Sequence, residues 1–429
     1  MDGANVLSNA LRMPPTVKAY DESTWYLDDL VPAAKNYNYD SYGYGTYNES
    51  IHGPILRANP LLVNNLISRN TLVDRVVATG SADVDLLKMI GLENKNHKLN
   101  YKLNLSYSKT HAAYKNWISA WIQSAKVYLD KSNEMLTKET RSWSDFLVEN
   151  TISYDATLGL NHLNLLGGIT YEEENYNSLY GEAKNLPEPY FLQIGNGESR
   201  NASSYESKHA LTSFIGRLIY DYDSKYLFSF VIRRDGSSRL TKDIRWGTFP
   251  SVSVGWRFDK EKFFPISHDI VNMFKIRASY GELGNENIGE YQYQATMRRG
   301  YMTYSFGNNA VTGSSVEKYV NDQLSWEKKT TTNVGLDLAM FNNRLEFTAE
   351  WYKNKSTDLL YSVPVPHNVG AGAYNATAYT VTMNAAEMEN SGFEFSATYR
   401  NNDHPLKWQV SANLSTLKNK VNSLGFGTD

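Results

Sequence analysis

The chain has 429 residues, a formal net charge of −3 and no cysteine, which excludes a disulfide framework, thiolate metal sites and a general affinity for nucleic acid. No apolar run is long enough for a membrane-spanning helix. The start, MDGANVLSNALRMPP, has neither the basic nor the apolar segment of a secretory signal, which leaves a cytosolic protein or an internal piece of a longer chain. Aromatic residues reach 13%, with 31 Tyr and 9 Trp, a content that suits either a Tyr-rich soluble β-protein or a membrane barrel with aromatic girdles.

Residues 1–75 are assigned to an upstream barrel or outer-loop region. Within them, YNYDSYGYGTY (37–47) is low in complexity and predicts a flexible outer segment rather than a stacking platform for sugars or peptides. From residue 76 onward the chain alternates. Segments with a period of two lie near 76–86, 98–108, 144–157, 161–173, 208–222, 226–234, 248–258, 273–283, 327–340, 344–353, 390–399 and 405–416.

In KLNYKLNLSYS, Leu99, Tyr101, Leu103, Leu105 and Tyr107 alternate with Lys98, Asn100, Lys102, Asn104 and Ser106. The next stretch, AAYKNWISAWIQSAKVYL, sets Tyr114, Trp117, Ile118, Trp121, Ile122, Ala125 and Leu129 at helical spacing and predicts a loop helix. In SVSVGWRF, Val252, Val254, Trp256 and Phe258 oppose Ser251, Ser253, Gly255 and Arg257. RLEFTAEWY and LKWQVSANLS repeat the pattern. The polar phase carries Lys98, Lys102, Arg217, Arg257, Arg277, Asp337, Glu350 and Glu394, while the apolar phase is essentially free of charge. A soluble core and a lipid face both demand that exclusion, so it does not decide between them.

Connection lengths do. Gly159–Leu160, Asp223–Lys225, Asn342–Asn343 and Asn401–Asp403 are short and have turn chemistry, and 87–97 and 259–272 are somewhat longer. Between them fall the longer stretches 109–143, 174–207, 235–247, 284–326 and 354–389. Alternation of short and long connections is the habit of outer-membrane barrels, with short turns inside and long loops outside. The expectation is an all-β transmembrane antiparallel barrel occupying 76–429, with Trp256 and Phe258 in the inner aromatic girdle.

No catalytic constellation emerges. Ser267, His268 and Asp269 are neighbours in a predicted turn and cannot meet as a triad. The 8 His show no metal-ligand spacing, and GELGNENIG follows a strand without opening a helix. No cofactor and no enzymatic activity are expected.

The run FIGRLIYDYDSKYLFSFVIRRDGSSRLTKDIRWGTFPSVSVGWRF (214–258) resembles the SusC/RagA type of TonB-dependent outer-membrane transporter. FKIRASYGELGN (274–285), LSWEKKTTTNVGLDLAMFNNRLEFTAEWYKNKSTDLL (324–360) and MENSGFEFSATY (388–399) follow in the same order. The resemblance is dense over about 208–422 and looser over 76–175.

It implies part of a barrel of about 22 strands closed by a plug, in the outer membrane of a Gram-negative bacterium. It further implies a SusD-like lipoprotein lid, energy coupling to TonB–ExbB–ExbD through an N-terminal part, and import of glycan or peptide oligomers. The plug, TonB box and closing C-terminal strands are expected to lie outside these residues.

Candidate lumen-facing residues are Arg217, Arg257, Arg277, Glu350 and Glu394. Candidate outer-loop contacts to cargo or lid are Tyr301, Tyr304, Phe306, His367 and Tyr374. Arg233, Arg234 and Arg239 of RRDGSSR are expected to form an ion-paired rim at the mouth. A passive porin and a soluble secreted glycan-binding β-protein are the competing readings.

Overall fold

The computed structural model describes residues 67–92, 95–118, 121–122, 129–130, 134–186, 191–295, 297–316, 320–365, 379–401 and 405–424. They form β1 (Ile67–Asp85), a one-turn helix α1 (Leu86–Met89), β2 (His97–Ile118), β3 (Trp121–Ile122), β4 (Leu129–Asp130), β5 (Met135–Leu158), β6 (Asn161–Lys184), β7 (Ser199–Tyr222) and β8 (Tyr226–Ser237). Then come β9 (Trp246–Arg257), β10 (Val271–Asn285), β11 (Met297–Phe306), β12 (Asn309–Val316), β13 (Glu327–Met340), β14 (Leu345–Val365), β15 (Tyr379–Asn401), β16 (Trp408–Ser415) and β17 (Lys418–Ser423). A 13-stranded sheet runs in the order β1-β2-β5-β6-β7-β8-β9-β10-β13-β14-β15-β16, with β17 also paired to β15. β11–β12 and β3–β4 pair separately. Every alternating segment of the sequence is a strand of the large sheet.

Register builds its two faces. Tyr226, Trp256, Ile276, Leu336, Ala349, Phe395 and Leu414 lie in one row across β8, β9, β10, β13, β14, β15 and β16. One residue further along, the row reads Leu227, Gly255, Arg277, Gly335, Glu350, Glu394 and Ser415. A slip of one residue in β10, β14 or β15 would put charge into the apolar row, so the pattern enforces the pairing there.

The strands are longer than alternation suggests. β5, β6 and β7 each span 24 residues, whereas about 9–11 cross a bilayer. Much of 109–143, 174–207 and 354–389, expected as loops, is therefore strand: β2 continues to Ile118, β6 to Lys184 and β14 to Val365, and β5, β7 and β15 begin at Met135, Ser199 and Tyr379. The region 284–326 contains the β11–β12 hairpin. β1 begins at Ile67, so it crosses the expected boundary at residue 75. In β7 the missed part lacks contrast between faces; Ser199–Glu206 is exposed throughout and polar on nearly every position.

The loop helix is also corrected. Tyr114, Trp117 and Ile118 are on β2, Trp121 and Ile122 form β3, and Leu129 is in β4. Ala125 and the segment 37–47 lie outside the described residues. Partners supplied by tertiary structure outweigh the helical spacing here, because Trp117 is 7% exposed in a core with Leu136, Ala183 and Leu186.

The described residues divide into two compact units, one of 67–77, 108–145 and 175–207 and the other of 78–107, 146–174 and 208–424. In the first, Leu192 and Ile194 pack on the core of Trp117, Leu136, Ala183 and Leu186. The alternate positions carry Tyr114 under the Arg141 guanidinium at 4.7 Å and the ring series Trp143, Tyr176 and Tyr205, with centroids 5.3 and 6.0 Å apart. In the second unit, Leu240, Phe249, Ile288, Leu324 and Trp326 form the core, with Leu211 and Leu360 against it. That core holds the connections 238–245 and 286–326 to the strands.

Candidate functional site

The charged row on β10, β13 and β14 forms a connected network. Arg277 Nε donates to Asp337 Oδ2 at 3.0 Å, its Nη1 donates to Asn333 Oδ1 at 3.3 Å, and its Nη2 donates to Glu350. Thr348 Oγ1 donates to Asp337 at 3.3 Å, and Lys275 Nζ stands 4.0 Å from the same carboxylate. Two cations and two carboxylates balance. Gly335 makes the arrangement possible, since a Cβ there would come within 2.7 Å of Arg277 Cζ. The guanidinium therefore lies flat over the β13 backbone.

The other predicted lumen-facing residues are placed differently. Glu394 lies directly across from Glu350 in register and is exposed. With Thr348, Ser396, Asn413 and Ser415 these carboxylates line a depression of about 380 Å³. Arg217 donates to Asn164 at 3.1 Å, while its Nε is buried without a partner among the described residues. Arg257 makes a two-pronged pair with Asp259, at 2.8 and 2.7 Å, and Asp259 also accepts from the Phe274 amide at 3.0 Å. Burial would push the Asp259 carboxyl up, but Arg257 and the amide hold it below the usual carboxylate range. Arg257 thus fixes the turn after β9. A second depression of about 420 Å³ includes Lys275, Arg277, Ser253, Asp221 and His162 in its lining. The structure brings Arg277, Glu350 and Glu394 together across adjacent strands; Arg217 and Arg257 serve separate contacts.

Of the loop candidates, Tyr301, Tyr304 and Phe306 are on β11. Tyr304 is 59% and Phe306 70% exposed. His367 and Tyr374 lie outside the described residues. In RRDGSSR, Arg233 pairs with Asp235 at 2.7 Å and donates to Ser213 at 3.0 Å, and Arg234 sits 5.4 Å over the Trp246 ring. Arg239 pairs with Glu290 at 2.6 Å beside His209, whose Nε2 is 3.3 Å from Glu286. The sequence marked Arg239 as an ion-paired residue but not its partners His209, Glu286 and Glu290, because these lie in β7 and in the connection after β10. Only the pairing of distant segments unites them.

The site offers hydrogen bonding and fixed charge. Ser267 Oγ donates to Asp269, while His268 Nε2 is 2.9 Å from the Asp259 carbonyl oxygen, so these three residues form no relay. Among the described residues no group of His, Asp and Glu has metal-binding geometry.

Comparison with known proteins bears on what such a sheet belongs to. A family described as TonB dependent receptor-like, beta-barrel, matches residues 20–429. TonB-dependent receptor P3 of Formosa agariphila is 35% identical over 297 residues, covering 68% of this chain and 29% of that protein. TonB-dependent receptor SusC of Bacteroides thetaiotaomicron is 34% identical over 286 residues, covering 65% of this chain and 27% of that protein. The matched part of the chain therefore covers less than a third of the length of these relatives. The solved RagAB peptide transporter aligns with a TM-score of 0.70 and 22% identity, over 86% of this chain and 39% of that one, a likeness of fold.

Proposed function

The chain belongs to the TonB-dependent receptor-like β-barrel family, and from that premise we propose that it is the barrel portion of an outer-membrane importer of oligomeric nutrients, glycans or oligopeptides. In this reading the apolar row faces lipid, and Arg217, Arg257, Arg277, Glu350 and Glu394 stand on the lumen side. A SusD-like surface lipoprotein covers the mouth, and TonB–ExbB–ExbD supplies energy through a part of the protein outside these residues. The organism is a Gram-negative bacterium. The observation that carries the reading is the registered charged row with the Arg277 network at its centre. A fixed, balanced, polar surface suits a wet lumen that cargo must cross without being trapped.

The β11–β12 hairpin carries the test. Met297, Tyr304 and Phe306 are 69, 59 and 70% exposed on it, and aromatic surfaces of this kind meet sugar rings, peptides or a lid protein. Removing all of 284–326 would take Ile288, Leu324 and Trp326 out of the core. Deleting only 297–316 leaves that core intact. In a strain carrying this deletion in the full-length gene, we expect normal amounts of assembled barrel, with cargo uptake or lid co-purification reduced at least severalfold. Normal uptake and normal co-purification would remove the hairpin from both roles.

A further inference from the structure

Three turns on the short-connection side of the sheet are tight, at 159–160, 223–225 and 341–344. The connection from β9 to β10 is not. Its residues 258–270, FDKEKFFPISHDI, exceed what a hairpin reversal needs. They fold onto the apolar face. Phe258 stands edge-on to Trp256 at 4.9 Å, Phe264 at 5.6 Å, Phe263 at 5.7 Å and Phe274 at 5.4 Å. Trp256 and Phe274 belong to the apolar phase of β9 and β10, so the ring cluster continues that face into the turn.

Polar groups mark where the apolar face stops. Tyr226 OH donates to Glu261 Oε1 at 2.6 Å, and Trp256 Nε1 donates to the same oxygen at 3.0 Å. Lys225 Nζ reaches Glu261 Oε2 at 3.3 Å. The hydrogen bond from Tyr226, with those from Trp256 and Lys225, holds the Glu261 carboxyl below the usual carboxylate range. A carboxylate so held is not placed in hydrocarbon. Tyr and Trp with apolar bodies on the strand face and polar tips on a charged group have the arrangement of a membrane–water boundary. Yet immediately beyond Glu261, Phe263, Ile266 and Ile270 remain 65, 42 and 45% exposed. Lys262 beside them is exposed and has no partner among the described residues.

We propose that the turn 258–270 is an interfacial anchor, with Phe263, Ile266 and Ile270 entering the headgroup–acyl boundary of the adjoining leaflet and Lys262 meeting lipid phosphate. The proposal rests on the reading of the apolar row as lipid-facing. Lipid is the occupant because Phe263 continues the lipid face through its ring contact with Phe258, with Ile266 and Ile270 exposed in the same turn and a cation beside Phe263 available to an anionic headgroup.

The test uses the full-length receptor in phosphatidylethanolamine vesicles with and without phosphatidylglycerol, any cysteine outside these residues being replaced. This chain contains none, so Phe263→Cys, Ile266→Cys, Ile270→Cys and Val254→Cys each accept one nitroxide label. Molecular oxygen is expected to relax all four labels severalfold more effectively than a water-soluble nickel chelate. Phosphatidylglycerol should move the 263 label deeper, and Lys262→Gln should abolish that movement. Nickel-accessible labels in the turn, with Val254 oxygen-accessible, overturn the anchor while the lipid face stands. Labels shielded from both reagents mean a protein cover and overturn it as well. A nickel-accessible label at Val254 defeats the lipid-facing reading and the anchor with it. Absence of a phosphatidylglycerol effect removes Lys262 from the proposal.

Discussion

Val254→Lys in the full-length protein is expected to prevent most barrel assembly, while Ser253→Lys at the adjacent position leaves the yield near that of the unchanged protein. Val254 is 49% exposed in a row with Phe228, Ala278, Val334, Trp351 and Phe393. An ammonium at that position would have to lie in hydrocarbon, at a cost of about 2–4 kcal/mol near the midplane. That is a factor of roughly thirty to several hundred in a folding equilibrium. Ser253 occupies the opposite phase with Ser229, Ser279 and Asn333, where a lysine meets water and polar side chains. Folding yield into vesicles, read as heat-modifiable migration, measures both variants. Equal yields would overturn the assignment of faces.

Gly284→Ala, at the C-terminal end of β10, is expected to be strongly damaging for a conservative change. A Cβ at Gly284 would lie 2.1 Å from Phe249 Cζ, and 2.6 Å from both Cε atoms of that ring. The ring cannot retreat easily, because Phe249 is 5% exposed and stands against Trp326 at 5.5 Å between centroids. Overpacking of this kind costs about 1–3 kcal/mol. The consequence should be local, freeing the connections that carry the hairpin. Proteolytic cleavage within 286–326 is therefore expected to rise about tenfold or more. Phe249→Leu should recover part of the loss in the double variant by vacating the ring's space. Cleavage unchanged in Gly284→Ala would mean that the Phe249 cluster does not hold this segment.

The same cluster separates what the residues declare locally from what only distant pairing creates. Alternation in KLNYKLNLSYS, SVSVGWRF and RLEFTAEWY determined the strands and the division into an apolar and a charged face. A period of two is a local property, and each strand repeats it without reference to its neighbours. The polar phase of β10, β13, β14 and β15 was legible for the same reason, so Arg277, Glu350 and Glu394 could be assigned to one face. That Arg277 lies across Gly335 toward Glu350, while Arg257 turns back to Asp259, was not legible, since either arginine offers the same donors. Register and the missing Cβ decided between them.

Phe249 shows the limit most plainly. It sits in the polar phase with Ser251 and Ser253 and breaks the alternation, yet it is among the most buried residues. Its partners Leu240, Ile288, Leu324 and Trp326 come from two other connections. No local period can announce a core assembled from segments so far apart in the chain. The extension of β7 was hidden for the opposite reason. Where both faces of a strand are solvated, as in Ser199–Glu206, the period-two contrast vanishes, and only backbone pairing with a neighbour makes those residues β-structure.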